Sequence, residues 1–96
     1  MNERIRESDR ELLQYAAKAA GIGWDDYESE WYGDGVRRDW NPLTDDGDAF
    51  RLAVKCLPFY TLRYSREDWE KCGEDGYAAT RRAIVRAAAE IGRNMV

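Results

Sequence analysis

The chain has 96 residues, 44% of them apolar and 35% charged, with a net charge of −4 at pH 7; this is the composition of one folded domain with a heavily charged surface, not of a disordered segment. It contains no histidine and only two cysteines, which removes Ser-His-Asp and Cys-His nucleophile arrangements and any imidazole or closed thiolate zinc site within one chain. No apolar run approaches the roughly 18 residues of a membrane span, and residues 1–10 are charged throughout instead of forming a signal peptide, so a cytoplasmic location is expected, with Cys56 and Cys72 as reduced thiols.

In chain order, Ser8-Asp9-Arg10-Glu11 has the form of a capping box and predicts a helix over residues 9–20. Leu12, Leu13, Ala16, Ala19 and Ala20 fall on one face of it, and Gly21 supplies a left-handed stop. Residues 22–40 change character. Trp24, Tyr27, Trp31, Tyr32, Val36 and Trp40 are interleaved with acids, and Gly33-Asp34-Gly35 reads as the turn between two short strands.

Asn41-Pro42 interrupts the chain, and Thr44, Asp45, Asp46 and Asp48 crowd the start of a second helix carrying Ala49, Leu52, Ala53, Cys56 and Leu57 at helical spacing. Phe50 and Val54 widen its apolar face, so it is expected to be the most buried helix, ending at Pro58. Residues 59–64 are aromatic and β-rich and predict a strand, with a second around Trp69. Asp75-Gly76 then leads into a long final helix with Tyr77, Thr80, Ile84, Ala88, Ile91 and Met95 on one face and Arg82, Arg86 and Arg93 on another. The expected fold is α+β: a small antiparallel sheet, two hairpins or a hairpin plus a strand, against three helices in the order αββαβ(β)α, as a single domain over residues 1–96.

Charge is unevenly placed. Residues 25–48 hold nine acids against two arginines, whereas residues 81–96 hold four arginines against one acid. Asp45, Asp46 and Asp48 resemble a hard-cation cluster in composition only. Setting Gly47 at the glycine of a calcium loop places Pro42 and Thr44 where ligands belong and Ala53 where the bidentate glutamate belongs, so acids capping a helix N-terminus are expected and no metal. Arg81, Arg82, Arg86 and Arg93 suit a helix C-terminal half facing water, and the acidic pI of about 4.8 opposes binding to polyanions, so nucleic acid is not an expected partner. With no glycine-rich phosphate loop or nucleophile elbow beside the acids, the chain is not expected to be an enzyme, and no cofactor is expected.

Three blocks, DRELLQYAAKAAGI at 9–22, WNPLTDDGDAFRLAVK at 40–55 and YAATRRAIVRAAAEIG at 77–92, resemble in content and order a family of small tailed-phage and prophage proteins to which no activity is assigned. They span nearly half the chain. The sequence differs from the family pattern at Phe50, where leucine is typical, and at Gly76, where proline often opens the last helix. The resemblance implies a bacterial host cytoplasm and a bacterial host or phage protein as partner, and it carries over no functional residue.

The remaining expectation is stoichiometric binding, with inhibition of a bacterial defence system as one form it could take. Aromatic anchors and charge complementarity are what protein interfaces use, which selects Trp31, Tyr32, Asp34, Arg37 and Arg38 as a hairpin tip, with Trp40, Asp45 and Asp46 beside it. Whether these aromatics point outward or fill the core stays open at this level. Two other readings are a nucleotide or small-ligand module with its pocket between the aromatic sheet and the arginine-bearing last helix, and a homo-oligomeric structural protein whose alanine-rich helices pack between subunits.

Overall fold

The computed structural model describes residues 2–33, 35–57, 66–73 and 75–95, with backbone alone over 2–8. Its order is α1 (Asn2–Ala20), β1 (Gly23–Asp25), β2 (Glu30–Tyr32), α2 (Asp46–Cys56), α3 (Arg66–Lys71) and α4 (Gly76–Arg93). The fold is α+β, with β1 and β2 forming a two-stranded antiparallel sheet.

Helix α1 begins seven residues earlier than the capping box suggested. Residues 2–8 are Asn, Glu, Arg, Ile, Arg, Glu and Ser, a run without Gly or Pro, so helical propensity carries the chain through Ser8 instead of starting there. Gly21 does end it, with φ of 72° and its N–H on the Lys18 carbonyl. At the other termini the caps follow the sequence: Asp45 accepts from the Asp48 N–H to open α2, and Asp75 accepts from the Tyr77 and Ala78 N–H groups to open α4.

The core lies where α1 meets α4. Ala16, Ala17 and Ala20 are buried with Ile84, Val85, Ala87, Ala88 and Ala89, and Ala49, Leu52, Leu57 and Trp40 close the cluster from α2 and the preceding loop. A buried methyl contributes only about 0.8 kcal/mol, so an alanine-rich seam must gain its stability by letting backbones approach closely enough for dense contact. Gly92 marks that approach: a Cβ there would overlap the Tyr15 carbonyl. The seam is thus satisfied inside one chain, which removes these alanines as a face for packing between subunits.

Three expectations about burial and local structure are corrected. The most buried helix is α4, not α2, because its buried residues run around from Ala79 to Arg82, Ala83, Ile84 and Val85, while Tyr77, Ile91 and Met95 are exposed. Phe50, at 69% exposure, and Val54 lie outside the core. Trp69 sits on a helix, where Glu67 and Lys71 pair at 3.0 Å across one turn, instead of on a strand. The strand expected over residues 59–64 lies outside the described residues. Among the described residues no helix is long and apolar enough to cross a membrane.

Candidate functional site

The hairpin is real but its turn is elsewhere. Strands β1 and β2 pair with Gly23 opposite Tyr32, Trp24 opposite Trp31 and Asp25 opposite Glu30, and residues 26–29 make the tip. Asp25 builds that tip: its Oδ1 accepts from the Tyr27 N–H at 2.9 Å and the Glu28 N–H at 3.2 Å, an Asx turn, and Ser29 reverses the chain at φ of 54°. Gly33 and Gly35 do form a turn, with the Val36 N–H on the Gly33 carbonyl, but it leads the chain out of β2. The Trp31 N–H then donates to the Arg38 carbonyl on the returning loop, so Trp24 and Trp31 face each other as a non-hydrogen-bonded pair, the closer kind.

Three indoles follow from this register. Trp24 meets Trp31 edge-on, with ring centroids 4.9 Å apart and planes at 65°, and Trp31 meets Trp40 at 5.1 Å and 71°. Both are favourable aromatic geometries. Exposure rises along the series, from Trp40 at 4% through half-buried Trp31 to Trp24 at 41%. The aromatics therefore divide: Trp40 is core, Trp31 packs on the core, and Trp24, Tyr27 and Tyr32 face outward, Tyr27 at 92%.

The described residues among those singled out from the sequence now have a place. Tyr32 is exposed, its ring against Gly23. Asp34 lies outside the described residues. Trp40 belongs to the core, and Trp31, Tyr32, Arg37 and Arg38 all lie outside the tip at residues 26–29. Arg38 reaches Glu30 at 3.8 Å and is otherwise exposed. Asp46 pairs with Arg81 at 2.6 Å, and the Arg81 Nε also donates to the Leu43 carbonyl.

Arg37 is fastened rather than presented. Its Nη2 donates to Asp48 Oδ2 at 2.9 Å and lies 3.4 Å from Asp45. Asp48 is buried, and it also accepts from the Asn41 N–H at 3.0 Å and from Arg51 at 3.1 Å, so one carboxylate ties the loop after the hairpin to α2. Burial pushes the Asp48 carboxyl up, but the Asn41 N–H and the Arg37 and Arg51 guanidiniums together hold it below the usual carboxylate range. The same bond and the neighbouring acids raise Arg37 above its ordinary value.

The arginines of α4 are also tethers. Arg82 is buried against Asp9 of α1 at 2.8 Å, and Arg86 holds buried Asp68 of α3. Among the described residues no group of three or more carboxylates or thiols could hold a metal ion. Both thiols are free, and burial raises the Cys56 thiol, which keeps it protonated and a poor nucleophile.

A groove of about 730 Å³ runs between α1 and the hairpin, with Leu13 and Gln14 on one side and Trp24, Asp26, Ser29 and Trp31 on the other. A second hollow of about 460 Å³ continues it around the indoles toward Glu28, Arg38 and Asp39. The pocket expected between the sheet and the last helix is replaced by this one because the hairpin packs on α1, while α4 is occupied by α1, α2 and α3. Sequence reasoning missed Asp26 and Glu28 as site residues and placed Trp24 and Tyr27 only in a general aromatic run; the signal was Asp25 before a polar tetrapeptide, an Asx-turn former competing with the more familiar Gly-Asp-Gly. No protein-family model matches the chain, and no curated protein or solved structure matches it either.

Proposed function

We propose that the chain is a phage or prophage accessory protein that acts by stoichiometric binding to a host or phage protein in the bacterial cytoplasm, without catalysis, and that the hairpin is its contact surface. The phage setting rests on the three sequence blocks. The observation that carries the binding reading is the exposure of Trp24, Tyr27 and Tyr32 on one short hairpin, beside Asp26 and Glu28, whose carboxylates pair with no cation among the described residues. Large rings held rigid by a packed base lose little conformational entropy on binding, and charge of one sign selects an oppositely charged partner. Inhibition of a defence protein is the form of binding that such an acidic face suits, since nucleic-acid-handling proteins offer basic grooves.

The test is affinity capture with tagged protein from infected and uninfected lysates, run beside a Tyr27→Ala, Tyr32→Ala double variant. A protein captured in stoichiometric amount by the wild type and lost from the double variant is the expected result. Capture that ignores the hairpin change would overturn the assignment of the surface. A second reading, a small-ligand module, is favoured by the groove beside α1, and a small molecule in an eluate free of protein would select it.

A further inference from the structure

We infer that the groove between α1 and the hairpin is a receptor for a cationic side chain, arginine or lysine, carried on an extended basic segment of the protein partner; this deepens the hairpin reading and rests on it. Trp24 and Trp31 stand at 65° to each other and form a corner instead of a flat stack. Trp24 is partly exposed and lines both hollows, so the corner opens on the groove. An indole face attracts a cation through its quadrupole, and a site with two indole walls desolvates the aliphatic stem of Arg or Lys as well. Leu13 of α1 supplies the apolar side opposite.

The charge of the walls selects the sign of the guest. Five carboxylates line the two hollows, Asp9, Asp26, Glu28, Glu30 and Asp39, against Arg10 and Arg38. Asp9 is engaged by Arg82, Glu30 by Arg38, and Asp39 lies 4.0 Å from Arg37. Asp26 and Glu28, at the tip, are left to meet a cation from outside. Arg10 is the one wall cation with no carboxylate partner among the described residues, so an anionic or nucleotide guest would meet two uncompensated carboxylates against a single guanidinium. The two hollows share Leu13, Trp24, Ser29 and Trp31, so a segment entering along α1 can follow the indoles around the hairpin.

The probe is a fluorescein-labelled Gly-Arg repeat peptide, read by anisotropy in dilute buffer, against the same peptide with citrulline at each arginine. The expected result is saturable binding of the arginine peptide, loss of affinity of about tenfold or more for the citrulline peptide, and a comparable loss for Asp26→Lys. Glu70→Lys, the same charge change on α3, should leave affinity unchanged. Trp24→Leu should weaken binding about fivefold, with circular dichroism showing whether the hairpin region still folds; Asp26→Lys decides the matter if it does not. Equal affinity for the two peptides, equal effects of the Asp26 and Glu70 changes, or no binding at all would overturn the inference. Partner capture that needs Tyr27 and Tyr32 while the arginine peptide never binds sinks the groove and leaves the hairpin reading standing. Peptide binding as expected, with no hairpin-dependent partner captured, does the reverse.

Discussion

Two acidic stretches lie close together in the chain and come to opposite ends. Asp45, Asp46 and Asp48 are each consumed by the fold: one caps α2, one pairs with Arg81 of α4, and one is buried under two guanidiniums and a backbone N–H. Asp26 and Glu28 are consumed by nothing among the described residues, and the hairpin holds them out beside Tyr27. The difference is position relative to a helix. Acids at a helix start find orphan N–H groups and the positive end of the dipole, so the fold takes them up. Acids in a hairpin turn find only the turn's own amides, and Asp25 already takes two of those, from Tyr27 and Glu28.

The sharpest way to break this contrast is Asp48→Ala. It would leave Arg37, Arg51 and the Asn41 N–H without their common acceptor, and the loss of a buried, charge-assisted hub should cost about 3 kcal/mol in urea unfolding. Asp48→Asn, which keeps the volume and part of the hydrogen bonding, should cost less. A loss below about 1 kcal/mol for the alanine variant would show that water replaces the hub and that Asp48 is no more structural than Glu28.

Acid should act through the same residue. The folded Asp48 carboxyl titrates below its unfolded value, so its contribution is complete above the unfolded pKa of about 4 and is lost as pH falls through the folded value. Stability of the wild type should therefore drop on acidification below about pH 4 more steeply than that of Asp48→Asn. Parallel curves would mean that other carboxylates carry the acid sensitivity.

Smaller effects grade the remaining members of the helix-start cluster. Asp45→Ala removes the N-cap of α2 and should cost about 1 kcal/mol. Asp46→Ala removes an ion pair whose acid is largely exposed and should cost less than that, with the effect shrinking further in high salt.

How much of this was legible in the sequence follows the same physics. Helix starts at Asp45 and Asp75 were readable because capping chemistry is local. The hairpin was readable in outline, but its turn was not, because Gly33-Asp34-Gly35 and Asp25 followed by residues 26–29 both satisfy turn rules and only the Trp24–Trp31 pairing on α1 decides between them. That pairing is a tertiary fact. Likewise the aromatic side chain of Trp69 argued for a strand, whereas the structure has a helix there, with Glu67 and Lys71 paired across one turn and Asp68 docked on Arg86. The burial of Trp40 and the capture of Arg37 by Asp48 depend on contacts between separate elements, which periodicity does not carry.

The smallest expected effect is the most informative for function. Asp26→Asn with Glu28→Gln removes two exposed carboxylates from a tip whose hydrogen bonds are made by Asp25 and the backbone, so unfolding stability should stay within about 0.5 kcal/mol of wild type, and relief of repulsion within an acidic stretch could raise it slightly. Urea unfolding beside capture of the partner separates the two roles. Unchanged stability with partner capture lost would mean that the fold keeps these acids for something outside the chain. A stability loss as large as that of Asp45→Ala would instead place them with the helix-start acids, and the contrast between the two stretches would collapse.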